Sequence, residues 1–249
     1  MKKILFILIV IPAYFFDSNW AIAGPKKQNI EKLSTLNLSH YQDNFDYHGI
    51  KLGITLSDFK NIPPVMYKYQ QNGLMDIAGY PLCSDDAESK KMTYFPTEEP
   101  ENSDAGIVTC IWAYHNDSKF SSNMPLLGIA NVGDYGSDRY GFEFLKMPDD
   151  LEPHLFHIHL SMTYAALPNV IEGLTTKFGE QTSITNEIVH NSFNAEYNDF
   201  VVGWENKSSK IIVESRYSDI DTGRIDYELK NYVSYANIIH AQSKRKNSM

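Results

Sequence analysis

Apolar and polar positions change period several times along the chain, and each change marks an element. The clearest period-two stretch is Leu155–Met162. Phe156, Ile158, Leu160 and Met162 point one way, and His157, His159 and Ser161 the other. The clearest helical stretch follows it. Leu167, Val170, Ile171, Leu174 and Phe178 share one face, with Pro168 in the first turn and Gly179 as the stop. Strands are predicted at 107–114, 126–132, 140–147, 183–191, 200–205, 210–217 and 224–229, separated by turns rich in Gly, Asp, Asn and Ser.

The chain enters this pattern at Tyr47–Ile54, which reads as a strand running into a turn. Thr55 and Asp58 then resemble a capping box for a short helix burying Leu56, Phe59 and Ile62, which Pro63-Pro64 must end. Residues 81–104 are polar and carry Pro96 and Pro100, Asp85-Asp86 and Glu98-Glu99, so they read as a loop. Short turns between antiparallel strands with few helices predict an α+β fold: antiparallel sheet covered by one or two short helices. A division into two similar α+β subdomains falls near 120–125.

Before Tyr47 the pattern is different. Lys2-Lys3 is followed by an apolar run from Ile4 to Phe16, and Ala21-Ile22-Ala23 precedes Gly24. This is the composition of a secretory signal peptide, with cleavage after Ala23. The run is shorter than the roughly 20 residues that span a bilayer. Residues 24–45 read as a polar linker or loosely docked arm. The globular domain is expected at 46–236, with 237–249 as a basic flexible tail ending in Lys244-Arg245-Lys246. No later stretch is apolar enough for a membrane span, and no cysteine near the cut offers a lipoprotein anchor. The expected location is the periplasm or the extracellular space.

Two of the short phrases resemble those of small secreted bacterial domains. Gly49-Ile50-Lys51-Leu52-Gly53-Ile54-Thr55-Leu56-Ser57-Asp58-Phe59 is similar to their G-x-x-x-G-M-T-x-x-x-F entry into a helix, with Ile54 in place of Met. Leu174-Thr175-Thr176-Lys177-Phe178-Gly179-Glu180 is similar to their helix end, with Gln181 where proline is usual, and Trp204 before a turn also fits. The group includes the SmpA-type assembly lipoproteins and the β-lactamase-inhibitor proteins. The resemblance implies short helices laid on an antiparallel sheet. It carries over no functional residue, because these motifs encode turns and helix ends.

Charge and cysteine content narrow the function classes. The net charge is −9, and loss of the leader removes two lysines and one aspartate to leave −10. An acidic chain repels phosphate backbones, so nucleic acid is not an expected partner. The two cysteines, Cys83 and Cys110, are expected to form a structural disulfide in an oxidising compartment.

Candidate chemistry centres on His154-Leu155-Phe156-His157-Ile158-His159. His157 and His159 project from one strand face about 7 Å apart. Imidazoles in that arrangement suit Zn or Cu, with His154 as a further candidate and Asp149, Asp150 or Glu152 as oxygen donors. The competing reading puts these histidines on the wetter face of a sheet. Asp219-x-Asp221-x-Gly223 has part of a calcium-loop pattern, but Arg224 follows and turn chemistry accounts for it. Asp85-Asp86 and Glu98-Glu99 sit where solvated charge is the default. Asn37, Asn116 and Asn206 open N-x-S sequons.

There is no G-x-S-x-G elbow, H-E-x-x-H, P-loop or G-x-G-x-x-G phrase. The expectation is an exported, non-catalytic binding module for a protein or envelope component, without cofactor. Its contact surface would be the acidic loop 84–105 and the tyrosines. The rival expectation is an exported hydrolase, metal-assisted through His157 and His159. It requires that the two rings meet a third ligand in a concave site.

Overall fold

The computed structural model describes residues 44–70, 74–92, 95, 102, 105–115, 125–128, 130–132, 135–137, 139–190, 193–217 and 219–247. The expected signal peptide, most of the linker, Glu98-Glu99, Asn37 and Asn116 lie outside them. Among the described residues no helix is long and apolar enough to cross a membrane.

The chain enters through two short paired strands, β1 (Asp46–Tyr47) and β2 (Ile50–Lys51). Helix α1 (Leu56–Lys60) follows. Its cap is the one the sequence predicts: the Thr55 hydroxyl accepts from the Asp58 amide at 3.1 Å. A hairpin comes next, β3 (Val65–Gln70) and β4 (Leu74–Cys83), then β5 (Val108–His115). The predicted strand at 126–132 is two pieces, β6 (Pro125–Leu127) and β7 (Ala130–Val132). The second of these pairs with β8 (Tyr135–Ser137) outside the main sheet. Strands β9 (Tyr140–Leu145) and β10 (His154–Thr163) form the centre. Helix α2 spans Leu167–Phe178, the predicted range, and ends on Gly179 at φ 87°, a backbone angle that suits glycine. Four strands close the sheet: β11 (Ser183–His190), β12 (Glu196–Glu205), β13 (Ser209–Glu214) and β14 (Thr222–Leu229). Helix α3 (Lys230–Asn247) completes the chain.

Among the described residues, ten strands make one antiparallel sheet. Its order is β11-β12-β13-β14-β10-β9-β5-β4-β3, with β6 attached to β5. The protein is sheet-dominated, and its two halves meet within this sheet where β9 pairs with both β5 and β10.

Alternation splits the sheet into an apolar and a polar face. Phe142, Ile158, Leu160, Ile225, Tyr227, Ile211, Val213 and Trp204 are buried on one face. Phe59 of α1 lies 5.1 Å from Phe142 and 5.0 Å from Phe144 between ring centroids, so α1 seals this face near the centre. Leu167, Val170 and Leu174 of α2 are buried in the same core. The fit under α2 is close: a β-carbon on Gly223 would stand 2.5 Å from Leu167 Cδ1 and 2.8 Å from the Glu214 carbonyl oxygen. Gly223→Ala is therefore expected to cost about 1–3 kcal/mol in urea unfolding through overpacking.

Three sequence expectations are corrected. The domain does not end at 236 with a flexible tail, because α3 continues through Asn247 and buries Tyr232 and Ala236. Its contacts with the core come from Tyr232, Val233, Tyr235, Ala236 and Ile239, and from Gln242 onward the helix is polar. The polar loop begins after Cys83 rather than at Pro81, since Pro81 and Leu82 pair with Trp112 and Ile111. Strand β10 does not alternate throughout. Its register shifts between Leu155 and His157, which makes Phe156 the extra residue of a bulge. Leu155, opposite Phe144, then takes the apolar side.

Cys83 and Cys110 form a disulfide. They are directly opposed on β4 and β5, so the bridge ties two neighbouring strands rather than a loop to a sheet. It closes a separation of 27 residues, and both cysteines are fully buried. The double variant Cys83→Ala/Cys110→Ala is expected to lose up to about 3–4 kcal/mol, read from urea midpoints against the oxidised protein.

Candidate functional site

The polar face of the sheet carries the candidate site. On β14, Arg224, Asp226 and Glu228 alternate with buried Ile225, Tyr227 and Leu229. On β10, His157, His159 and Ser161 alternate with buried Ile158 and Leu160. On β9, Glu143 stands between buried Phe142 and Phe144. The register brings these residues together: His157 is opposite Glu143 on one side and Glu228 on the other, and His159 is opposite Asp226.

His157 is held from both ends. Its Nδ1 lies 2.8 Å from Glu143 Oε2, and its Nε2 lies 2.8 Å from Asp226 Oδ1. Arg224 Nε donates to the same Asp226 oxygen at 2.8 Å. Asn102 Nδ2 donates to Glu143 Oε1 at 3.1 Å. These side chains are largely buried, 14% exposed for His157, 12% for Glu143 and 9% for Asp226. A charge so placed must be paired.

Burial pushes the His157 pKa down, but the Glu143 charge and the hydrogen bonds to both carboxylates outweigh it and raise it to about 10. Burial likewise opposes ionisation of Glu143, and His157, with His159 and Arg224 behind it, still holds its pKa at about 2. Asp226 is lowered against its burial by the His157 hydrogen bond and charge, with Arg224 adding to them. The trio is therefore a carboxylate–imidazolium–carboxylate bridge at neutral pH.

His159 is different. Its Nδ1 is buried and has no hydrogen-bond partner, with Glu143 Oε1 at 3.9 Å, too long for a hydrogen bond. Burial, then the positive charges of His157 and Arg224, lower its pKa to about 4, so it is neutral at pH 7. The His157 and His159 rings are 5.6 Å apart between centroids. Donor atoms of Glu143, His157 and His159 all lie within 4.8 Å of one another.

The cluster forms the floor of a concavity of about 950 Å³ between the sheet and α3. Phe156, Arg139 and Tyr217 contribute to its wall, and α3 adds Val233, Asn237 and His240. His240 Nε2 is buried there without a hydrogen-bond partner. Comparison with protein-family models, curated proteins and solved structures finds no match.

The other candidate residues lie elsewhere. His154 is bound through Nδ1 to the Gly53 carbonyl at 2.9 Å, its ring 6.1 Å from that of Tyr232, outside the three-donor group. Asp150 accepts from the Tyr232 hydroxyl and Glu152 from Ser57, so both serve local structure. Asp85 and Asp86 pair with Lys60 at 2.7 Å. Cys83 lies near them, but its sulfur is committed to the disulfide. Asp219 accepts from the Asp221 amide in a turn. Asn206 Oδ1 accepts from the amides of Ser208 and Ser209, which commits it to a tight turn.

Sequence reasoning finds His157 and His159 but misses Glu143, Asp226, Arg224 and His240. The signal for the strand residues is present. Arg224-x-Asp226-x-Glu228 is a charged alternation inside an apolar strand, and Glu143 interrupts Phe142 and Phe144. Which charges meet is set by strand pairing, which one strand does not reveal.

Proposed function

We propose that this chain is an exported binding module whose ligand is a small polar molecule held between the sheet and α3. The observation that carries the reading is the concavity of about 950 Å³ with the ionic cluster at its floor. Ligand sites of this size combine apolar walls with a few convergent polar groups, and here Phe156 and Val233 stand beside Arg139, Arg224 and His240. Export is supported by the composition of residues 1–23 and by the disulfide. The acidic loop is a weaker candidate surface, because Asp85 and Asp86 are engaged by Lys60. The reading of two similar α+β units rests on a repeated order: α1 precedes the run β3 to β5, and α2 precedes the run β11 to β14.

Asn237→Trp tests the pocket, since Asn237 is exposed and part of its wall. Native mass spectrometry of protein isolated from its host envelope is expected to show bound small-molecule mass on the wild type and none on the folded variant. Equal ligand occupancy in both, or none in either, overturns the reading.

A second reading is an exported metal-assisted hydrolase. It is favoured by one observation: the two histidine rings meet a carboxylate inside a concave site. Turnover of simple ester or phosphoester substrates that vanishes in His159→Ala would establish it, and no turnover by metal-supplemented wild type would end it.

A further inference from the structure

We propose that Glu143, His157 and His159 bind one divalent transition-metal ion of the zinc class, with its remaining coordination positions open to the pocket. The site does not depend on the small-molecule reading, since an ion could be held there with water as its only other ligand.

Five observations converge. The donor set is two imidazoles and one carboxylate, which suits zinc when positions are left open. Their donor atoms already lie within 4.8 Å of one another. The strand register enforces this, because Glu143 and His157 are direct partners on β9 and β10, and His159 is the next residue on that face.

The surroundings are those of a ligand set rather than of an ion pair alone. Asp226 sits 2.8 Å from His157 Nε2 and fixes the ring with Nδ1 toward Glu143. A carboxylate behind a ligating histidine orients it and raises its basicity. Arg224 in turn balances Asp226. Asn102 donates to Glu143 Oε1, and Oε2 faces His157 Nδ1 at 2.8 Å, so an ion bound between them takes the place of the proton they share.

His159 decides between an ion site and a bare salt bridge. Two N–H groups, one donating to Glu143 and one to Asp226, satisfy His157 fully. They do nothing for His159 Nδ1, which is buried with no hydrogen-bond partner beside Glu143. A buried imidazole nitrogen left without a partner beside a carboxylate is costly as structure and well suited to a metal.

The test uses the full mature chain, stripped with chelator and titrated with Zn²⁺ by calorimetry and with Co²⁺ by visible absorption. The expected result is one ion per chain at micromolar affinity or tighter, with Co²⁺ d–d bands and no thiolate charge-transfer band. His159→Ala is expected to weaken binding at least about 100-fold, and Asp226→Asn about 10- to 100-fold. His154→Ala, in the same strand but outside the group, is expected to leave it unchanged. Nuclear magnetic resonance of the wild type locates the ion without a variant: Co²⁺ should broaden or shift the His157 and His159 ring signals first. Absence of heat and of d–d bands in folded wild type overturns the proposal, and so does binding that survives in folded His159→Ala or perturbs His154 first. Loss of metal binding with retained small-molecule occupancy would sink this site and spare the pocket reading.

Discussion

His157→Ala is expected to destabilise the metal-free protein by about 3–5 kcal/mol, a large share of the stability of an ordinary domain. The imidazolium lies between Glu143 Oε2 and Asp226 Oδ1, at 2.8 Å from each. Removing it leaves two buried carboxylates facing an empty volume, with Arg224 as the nearby cation. Arg224 offsets only the Asp226 charge and Asn102 gives Glu143 one neutral hydrogen bond, so the carboxylates' repulsion and lost hydration are largely uncompensated. His157→Gln should fall between wild type and alanine, because the amide can donate to one carboxylate but carries no charge. Urea unfolding of the three proteins near pH 6.5, in chelator, gives the order directly. Equal midpoints for wild type and His157→Ala would show that the bridge contributes nothing.

Stability of the chelated protein is expected to peak near pH 6.5 and fall on both sides. Three groups set the two limbs. Glu143 has a folded pKa of about 2, below its ordinary 4.5. The unfolded chain therefore takes up its proton first on acidification, and the stabilisation present above about pH 4.5 is lost as pH falls toward 2. His159 is lowered from 6.5 to about 4. It stays neutral in the folded protein while the unfolded chain charges, so it adds to the loss from about pH 6.5 downward. His157 is raised from 6.5 to about 10. Its contribution is complete below pH 6.5 and disappears as pH rises through 10, because the unfolded chain releases the proton first. Each unit of difference corresponds to about 1.4 kcal/mol. Urea midpoints between pH 3 and 10 should trace this dome, and His157→Ala should remove the alkaline limb. A wild-type profile flat from pH 7 to 10 would contradict the bridged imidazolium.

The cluster also explains why one face of a sheet rich in apolar residues is left polar. Arg224, Asp226, Glu228, His157, His159 and Glu143 interrupt six- to ten-residue strands that are otherwise built for burial. Retaining mutually paired charges there gives up hydrophobic burial and keeps an open, polar floor. Such trades are expected where a surface binds something.

Much of the architecture could be read along the chain. Local chemistry suffices where an element is defined by its own period and ends. Helix α2 runs from Leu167 to Phe178 as predicted, because a strong apolar stripe lies between Pro168 and Gly179. Thr55 caps α1 through a bond three residues long. The polar sides of His157 and His159 follow from alternation alone. Helix α3 is not legible as one element because its apolar positions stop at Ala241 and its last turns carry only polar residues. The bulge at Phe156 was hidden because it exists only relative to β9.

The sequence by itself thus determined the local elements, the pairing of the only two cysteines, and the face on which the two histidines stand. Only the tertiary structure decided what those histidines meet. Glu143 is 14 residues from His157 and Asp226 is 69 residues away, yet both lie 2.8 Å from its ring. Register across β9, β10 and β14 sets those distances, and register is the collective outcome of packing one whole apolar face. The pocket depends further on α3 returning over the sheet, a contact between elements whose sequences carry no mark of each other.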